Sequence, residues 1–522
     1  MSFKFAWTAA SAAWLLLAQG AAAQTPSTRH IAIDFNSRAQ QRDHFADLSV
    51  GSDYPGTLIR DDSLAQLQTA VSELGFRYLR FHAIFHDVLG TYKEVGGQPV
   101  YDWTRIDYLY DRLLKMGIRP FVELGFTPHD MRTSDQTIFY WKGNTSHPQP
   151  EKWAALTDAF VRHVEQRYGK AEVRRWYFEV WNEPNLAGFW EHADQAAYFD
   201  LYDLTARTVK QIDPALRIGG PSTAGAAWVS EFIQHVESSK APLDFITTHT
   251  YGVDGGFLDE QGKEDTKLSA SPDAIVGDVR RVRGEIAASA RPALPLYFTE
   301  WSTSYTPRDP VHDSYISASY ILNKLKQTEG MAQGMSYWTY SDLFEEPGAP
   351  TAPFEGGFGL MNPQGIRKSA WFAYKYLHQL GERQLHTADA QSYVTRTAKA
   401  LQVLAWDFPA AAAQDKSNRS FYTRIQPAQD ARPLSLDLKG MKPGRYAVAI
   451  YRTGFRANDA QSAYLEMGAP KDLTAQQIGQ LQQLTADLPE RQTLRVARSG
   501  PASLRIPMRN HDVVLVQVSP AP

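Results

Sequence analysis

Between about residue 45 and residue 380 the chain alternates short β-rich segments with longer helical stretches, eight times in succession. The strand candidates are 47–51, 78–84, 119–124, 176–180, 217–220, 245–249, 296–299 and 334–338. Several are unbroken apolar runs, as expected of parallel strands buried on both faces. The stretches 61–74, 103–116, 152–168, 194–212, 229–238 and 271–288 carry apolar residues at helical spacing. Eight βα units in one unbroken array predict an α/β fold closed into a (β/α)8 TIM barrel rather than an open doubly wound sheet.

The pattern changes after about Arg383. Short strand-like segments at 401–407, 420–425, 444–451, 493–497 and 513–518 are separated by Pro- and Gly-bearing turns, with one helical insert near 473–486. This predicts an accessory C-terminal β-sandwich over 383–522 behind a catalytic barrel over 45–382. The segment 24–44, with a strand at 30–35, is expected to pack with that β-domain, whose expected role is to brace the barrel. Residues 1–23 read as a signal peptide: Lys4 gives a positive start, 6–18 an apolar stretch, and Ala21-Ala22-Ala23 a small-residue cleavage site. The expectation is an exported enzyme, periplasmic or secreted. No later stretch approaches about 18 uninterrupted apolar residues, so no membrane partner is expected. The net charge of −3 gives no reason to expect a nucleic acid. There is no cysteine, which removes disulfides and thiol chemistry. The 13 Trp, 25 Tyr and 25 Phe suit a large core, and they also suit sugar, whose C–H faces pack on flat rings.

In a barrel of this kind, reactive groups belong at the C-terminal strand ends. Two glutamates stand there. Glu183 lies in WYFEVWNEPN after the fourth strand, between Asn182 and Pro184, and Pro184 halts regular structure. Glu300 lies in LPLYFTEWS directly after the seventh, at the end of an almost wholly apolar run, where a carboxylate must find partners or shift its pKa. Strands four and seven face each other across the mouth. Glycosidic bond cleavage needs two carboxyl groups so disposed, and Asn182 is placed to bond a sugar 2-hydroxyl. The alternative reading of each glutamate is structural: a helix cap or surface charge for Glu183, a carboxylate bonded to loop amides for Glu300.

With RFHAIFHD, THTYG, FTEWS, YWTYSDLFEE and FEGGFGL following in order around WNEPN, the chain resembles family 39 of the glycoside hydrolases, the β-xylosidase and α-L-iduronidase family. That resemblance implies Glu183 as general acid/base and Glu300 as nucleophile. It further implies substrate contacts from His82, His249, Tyr251, Trp338 and one of Glu345 and Glu346. Two positions depart from the family pattern: Ala83 stands where Gly is usual, and Glu355 where Phe-His-Gly-Gly is common.

The expected reaction is a two-step displacement with net retention, a raised pKa at Glu183 and a carboxyl separation of roughly 5 to 5.5 Å. The expected substrate is an oligosaccharide, with an exo-acting β-1,4-xylosidase releasing xylose from xylooligosaccharides as the first choice. Alternatives are α-L-arabinosidase, β-glucosidase, α-L-iduronidase with Arg308 pairing the uronate, an exopolysaccharide hydrolase, or a non-catalytic carbohydrate-binding barrel. His82 and His86 are four apart but follow a strand, and no H-E-x-x-H string is present, so neither a metal nor a cofactor is expected. Oligomeric state is left open.

Overall fold

The computed structural model describes residues 27–409, 414–498 and 500–521. The expected signal peptide lies outside the described residues.

Eight parallel strands close into a barrel: β1 (Ser49–Ser52), β2 (Tyr78–Phe81), β3 (Arg119–Leu124), β4 (Tyr177–Val180), β5 (Arg217–Thr223), β6 (Phe245–Tyr251), β7 (Leu296–Ser302) and β8 (Gly334–Tyr337). Each is followed by a helix: α1 (Asp61–Leu74), α2 (Thr104–Met116), α3 (Pro150–Tyr168), α4 (Gln195–Ile212), α5 (Val229–Ser239), α6 (Val276–Ala288), α7 (Ile316–Thr328) and α8 (Ser369–His378). Local chemistry sets the helix ends. Asp61 and Asp62 occupy the first turn of α1, where the macrodipole favours negative charge, and left-handed Gly75 (φ 76°) ends it. Pro150 opens α3, and the Asp194 carboxylate accepts from the Ala197 N–H to cap α4.

The apolar expectation set several strands too short. β6 runs on to Tyr251 and β7 to Ser302, so Tyr251 and Glu300, like His249, sit on the strands rather than after them. His82 and Trp338 each stand one residue past β2 and β8. Inside the barrel, the N-terminal end is closed by the rings of Phe121, Tyr177, Phe245 and Tyr297, packed at 4.6 to 6.0 Å with Leu48.

Beyond the barrel, a seven-stranded sheet and a three-stranded sheet pack face to face. Their shared core includes Ile31, Ile33, Leu436 and Leu504 from the smaller sheet and Val403, Val448 and Val516 from the larger. The fold is thus a TIM barrel with a C-terminal β-sandwich. The strand Arg29–Asp34 pairs with Leu434–Lys439, and Ala39–Gln41 with Arg383–Leu385. The strand expected at 420–425 is instead part of a short helix, Asn418–Tyr422. Tertiary contacts override the β-propensity of Phe421, Tyr422 and Thr423: Asn418 accepts from the Leu268 N–H and donates to Asp309. Among the described residues, no helix is long and apolar enough to cross a membrane.

Candidate active site

The floor of the barrel mouth is ionic. The Arg80 guanidinium, wholly buried on β2, donates from Nε to Glu179 Oε2 (2.5 Å), from Nη1 to Glu300 Oε1 (2.7 Å) and from Nη2 to Asn182 Oδ1 (2.8 Å), and its Nη2 lies 3.0 Å from Glu123 Oε2. A buried cation is tolerable only with such pairing. His82 stands beside it, with Nδ1 2.7 Å from Glu123 Oε2. Burial alone would lower the His82 ring, but the charge and hydrogen bond of Glu123 outweigh that and hold its pKa well above the ordinary value.

Glu300 projects from β7 onto this floor. Its Oε1 accepts from Arg80 and its Oε2 from the Tyr251 hydroxyl (2.7 Å), partners that suit an anion. Glu183 comes from the β4 exit through a backbone bent into the left-handed region at Trp181 (φ 69°) and Glu183 itself (φ 48°). The Glu183 N–H donates to the carbonyl of Ser222, also left-handed (φ 55°). Such conformations cost about 1–3 kcal/mol each for residues with a Cβ and gather where function fixes the chain. One carboxylate oxygen each from Glu183 and Glu300, with a ring nitrogen of His249, lie within 4.8 Å of one another. Burial pushes the Glu183 pKa up to about 7, against the opposing pull of His82 and Arg80. Burial also drives the His249 ring down to about 4. His249 Nδ1 is 2.8 Å from Glu183 Oε1.

Two carboxyl groups at β4 and β7, this close and this differently surrounded, can act on opposite sides of one anomeric carbon. A family profile described as "Glycosyl hydrolases family 39" matches residues 29–500. The chain belongs to family 39. It is 40% identical to a β-xylosidase of Geobacillus stearothermophilus over 356 residues (66% of this chain, 70% of that protein). It is 32% identical to one of Caldicellulosiruptor saccharolyticus over 497 residues (94% and 98%). The crystal structure of a monomeric β-xylosidase from Caulobacter crescentus CB15 superposes with a TM-score of 0.93 at 63% identity, covering 95% of this chain and all of that one. As a family 39 member the protein is an O-glycoside hydrolase of the retaining class.

The other residues expected in this family 39 site divide by position. Glu346 turns inward, its Oε1 3.2 Å from His82 Nε2, and burial pushes its pKa up to about 8. Glu345 turns away and accepts from Arg60 (3.0 Å), so the inward member of the pair is Glu346. Trp338 lies flat on the strand surface: a Cβ on Gly51 would come within 2.2 Å of its ring, which is why glycine stands there. Its other neighbours are His82 at 4.7 Å, Phe344, Phe358 and Tyr251. Ala83 occupies a left-handed position (φ 60°), the reason glycine is usual there. It packs with Phe126 and Trp141 and donates its N–H to Glu123. Glu355 pairs with Arg308 (3.1 Å), whose Nη2 also donates to the Gly348 and Ala349 carbonyls.

His86 is committed to the backbone, accepting from the Val88 N–H and donating to the Trp141 carbonyl, and does not join His82. Among the described residues, Glu183, His249 and Glu300 come near enough to share an ion, but the Arg80 guanidinium on Glu300 opposes a second cation there. Arg80, Glu123, Glu179 and Thr299 were not singled out from sequence. For the three charged residues the signal was present: a lone charge inside YLRF, FVELG or YFEVW must be paired if the strand is buried.

Proposed function

We propose that this family 39 enzyme is an exo-acting β-1,4-xylosidase, with Glu300 as nucleophile and Glu183 as acid/base. The observation that carries the roles is the asymmetry of the pair: Glu300 is held by a guanidinium and a phenol, while Glu183 has its pKa raised to about 7 by burial. Glu300 attacks the anomeric carbon as the glycosidic C–O bond breaks, and the Glu183 proton passes to the leaving oxygen. The Glu183 carboxylate then takes a proton from water, whose oxygen displaces Glu300 with net retention. Asn182, fixed through its Oδ1 by Arg80, presents its amide nitrogen as the donor end toward a 2-hydroxyl. His82 and Glu346 are the polar pair for the remaining hydroxyls, over the Trp338 floor.

The β-xylosidase relatives support the substrate. The recessed carboxylates, Glu183 at 9% and Glu300 at 4% exposed, suit a chain end rather than a chain middle. The Arg308 pairing with Glu355 disfavours an iduronidase, because the cation a uronate would need is already neutralised. The opening of the sequence supports export, testable by cell fractionation. A panel of nitrophenyl glycosides tests the whole reading. Strong turnover of the β-xyloside, loss of at least about 10^4-fold in Glu300→Ala and partial rescue by azide are expected. Near-normal activity in Glu300→Ala would refute the roles, and a preferred glucoside or arabinoside would refute the substrate.

A further inference from the structure

Behind Glu183 runs a chain of hydrogen bonds that the two-carboxylate mechanism does not use. The Glu179 carboxylate on β4 is ion-paired to Arg80 through Oε2, and its Oε1 accepts from the Thr299 hydroxyl (2.8 Å). The single hydroxyl hydrogen of Thr299 is thereby committed, so Thr299 Oγ1 meets His249 Nε2 (3.2 Å) as an acceptor. Nε2 then carries the ring hydrogen. The ring is neutral in this buried setting, so Nδ1 presents a lone pair to Glu183 Oε1 at 2.8 Å. Two acceptors cannot make that bond, and the hydrogen in it belongs to Glu183.

We infer that Glu179 and Thr299 are positioning residues that hold His249 in its Nε2–H tautomer and thereby make Glu183 the hydrogen-bond donor, loaded with the proton that the leaving oxygen takes. After that transfer, the same lone pair faces the Glu183 carboxylate, which favours its reprotonation by the incoming water. The inference rests on the acid/base role proposed for Glu183. The groups around the chain are Arg80 from β2 and His82 just past it, Glu123 from β3, Tyr251 from β6, Glu300 from β7 and Glu346 beyond β8. Burial above all keeps the His249 ring neutral; Glu300 and Glu179 work against it, and Arg80 and His82 reinforce it. The competing donor is the Ser222 hydroxyl, which lies 3.4 Å from Nε2 and itself accepts from Arg80.

The test compares xylobiose, whose leaving oxygen needs a proton, with 2,4-dinitrophenyl β-xyloside, whose leaving group needs little. In Thr299→Val, kcat/KM on xylobiose is expected to fall about tenfold or more, and on the dinitrophenyl substrate by less than about threefold. The alkaline limb of the pH profile should move to lower pH, and Thr299→Ser should restore both. Equal losses on the two substrates with an unmoved limb would overturn the inference, as would the same signature appearing in Ser222→Ala instead. Two-bond 1H–15N spectra of histidine-labelled wild type, with His249 assigned through His249→Gln, read the tautomer independently. Protonated Nε2 is expected, and protonated Nδ1 overturns the inference. Wild type silent on both xylosides would instead count against the substrate reading, and the spectra would still decide the tautomer.

Discussion

At the N-terminal end of the barrel the interior is filled by Tyr78, Phe121, Tyr177, Phe245 and Tyr297; two residues further along the same five strands stand Arg80, Glu123, Glu179, Thr247 and Thr299. Strand side chains alternate with period two, so both sets point inward, one layer above the other. The lower layer is held by ring packing and needs no charge. The upper layer sets one guanidinium against two carboxylates, Glu123 and Glu179, with Glu300 at the mouth as a third partner, and stands only because each is paired. The lower layer closes the barrel, and the upper one sets which groups at the mouth carry protons.

That division can be broken experimentally. The largest effect is expected from Arg80→Met, which strands Glu123, Glu179 and Glu300 together: about 3–5 kcal/mol of stability lost by denaturant titration. The protein that still folds should lose activity by about 10^2-fold or more. Phe121→Ala should also cost about 3–5 kcal/mol, by opening a cavity in the lower layer, but leave kcat/KM of the folded enzyme near wild type. If both variants lose activity alike, the layers are not functionally distinct.

The pH profile of kcat/KM sharpens the picture. Glu183, with its pKa raised to about 7, donates only while protonated, so activity should fall about tenfold per unit as pH rises above 7. A flat profile to pH 9 would contradict the acid role. The smallest effect is expected from Tyr177→Phe, which removes only the 3.1 Å hydroxyl contact with Tyr297: about 1 kcal/mol of stability and no change in rate.

The barrel was legible because eight apolar runs at regular spacing admit little else, and Glu183 and Glu300 because Asn-Glu-Pro and Thr-Glu-Trp interrupt such runs at their ends. The strand ends were less legible. The apolar signal ends at His249 and Thr299, before Tyr251 and Glu300, so it stops short of the ends of β6 and β7. Leu434–Lys439 went unread despite the alternation of Leu434, Leu436 and Leu438, and Asn418–Tyr422 was misread because only its side-chain contacts make it helical. The upper ionic layer was hidden for a physical reason. A lone Arg or Glu in a strand shows that it must be paired, but the partners stand on other strands, and only closure of the barrel brings Arg80 to Glu123, Glu179 and Glu300.

The most direct test of the central assignment is to trap the covalent intermediate with a 2-deoxy-2-fluoro-β-xyloside and map the labelled peptide by mass spectrometry. With dinitrophenolate as the leaving group, a slowly turning-over adduct on Glu300 is predicted, formed at a near wild-type rate in Glu183→Gln but hydrolysed still more slowly. An adduct on Glu183 or elsewhere, or steady turnover of xylosides with no trappable adduct on Glu300, would contradict it.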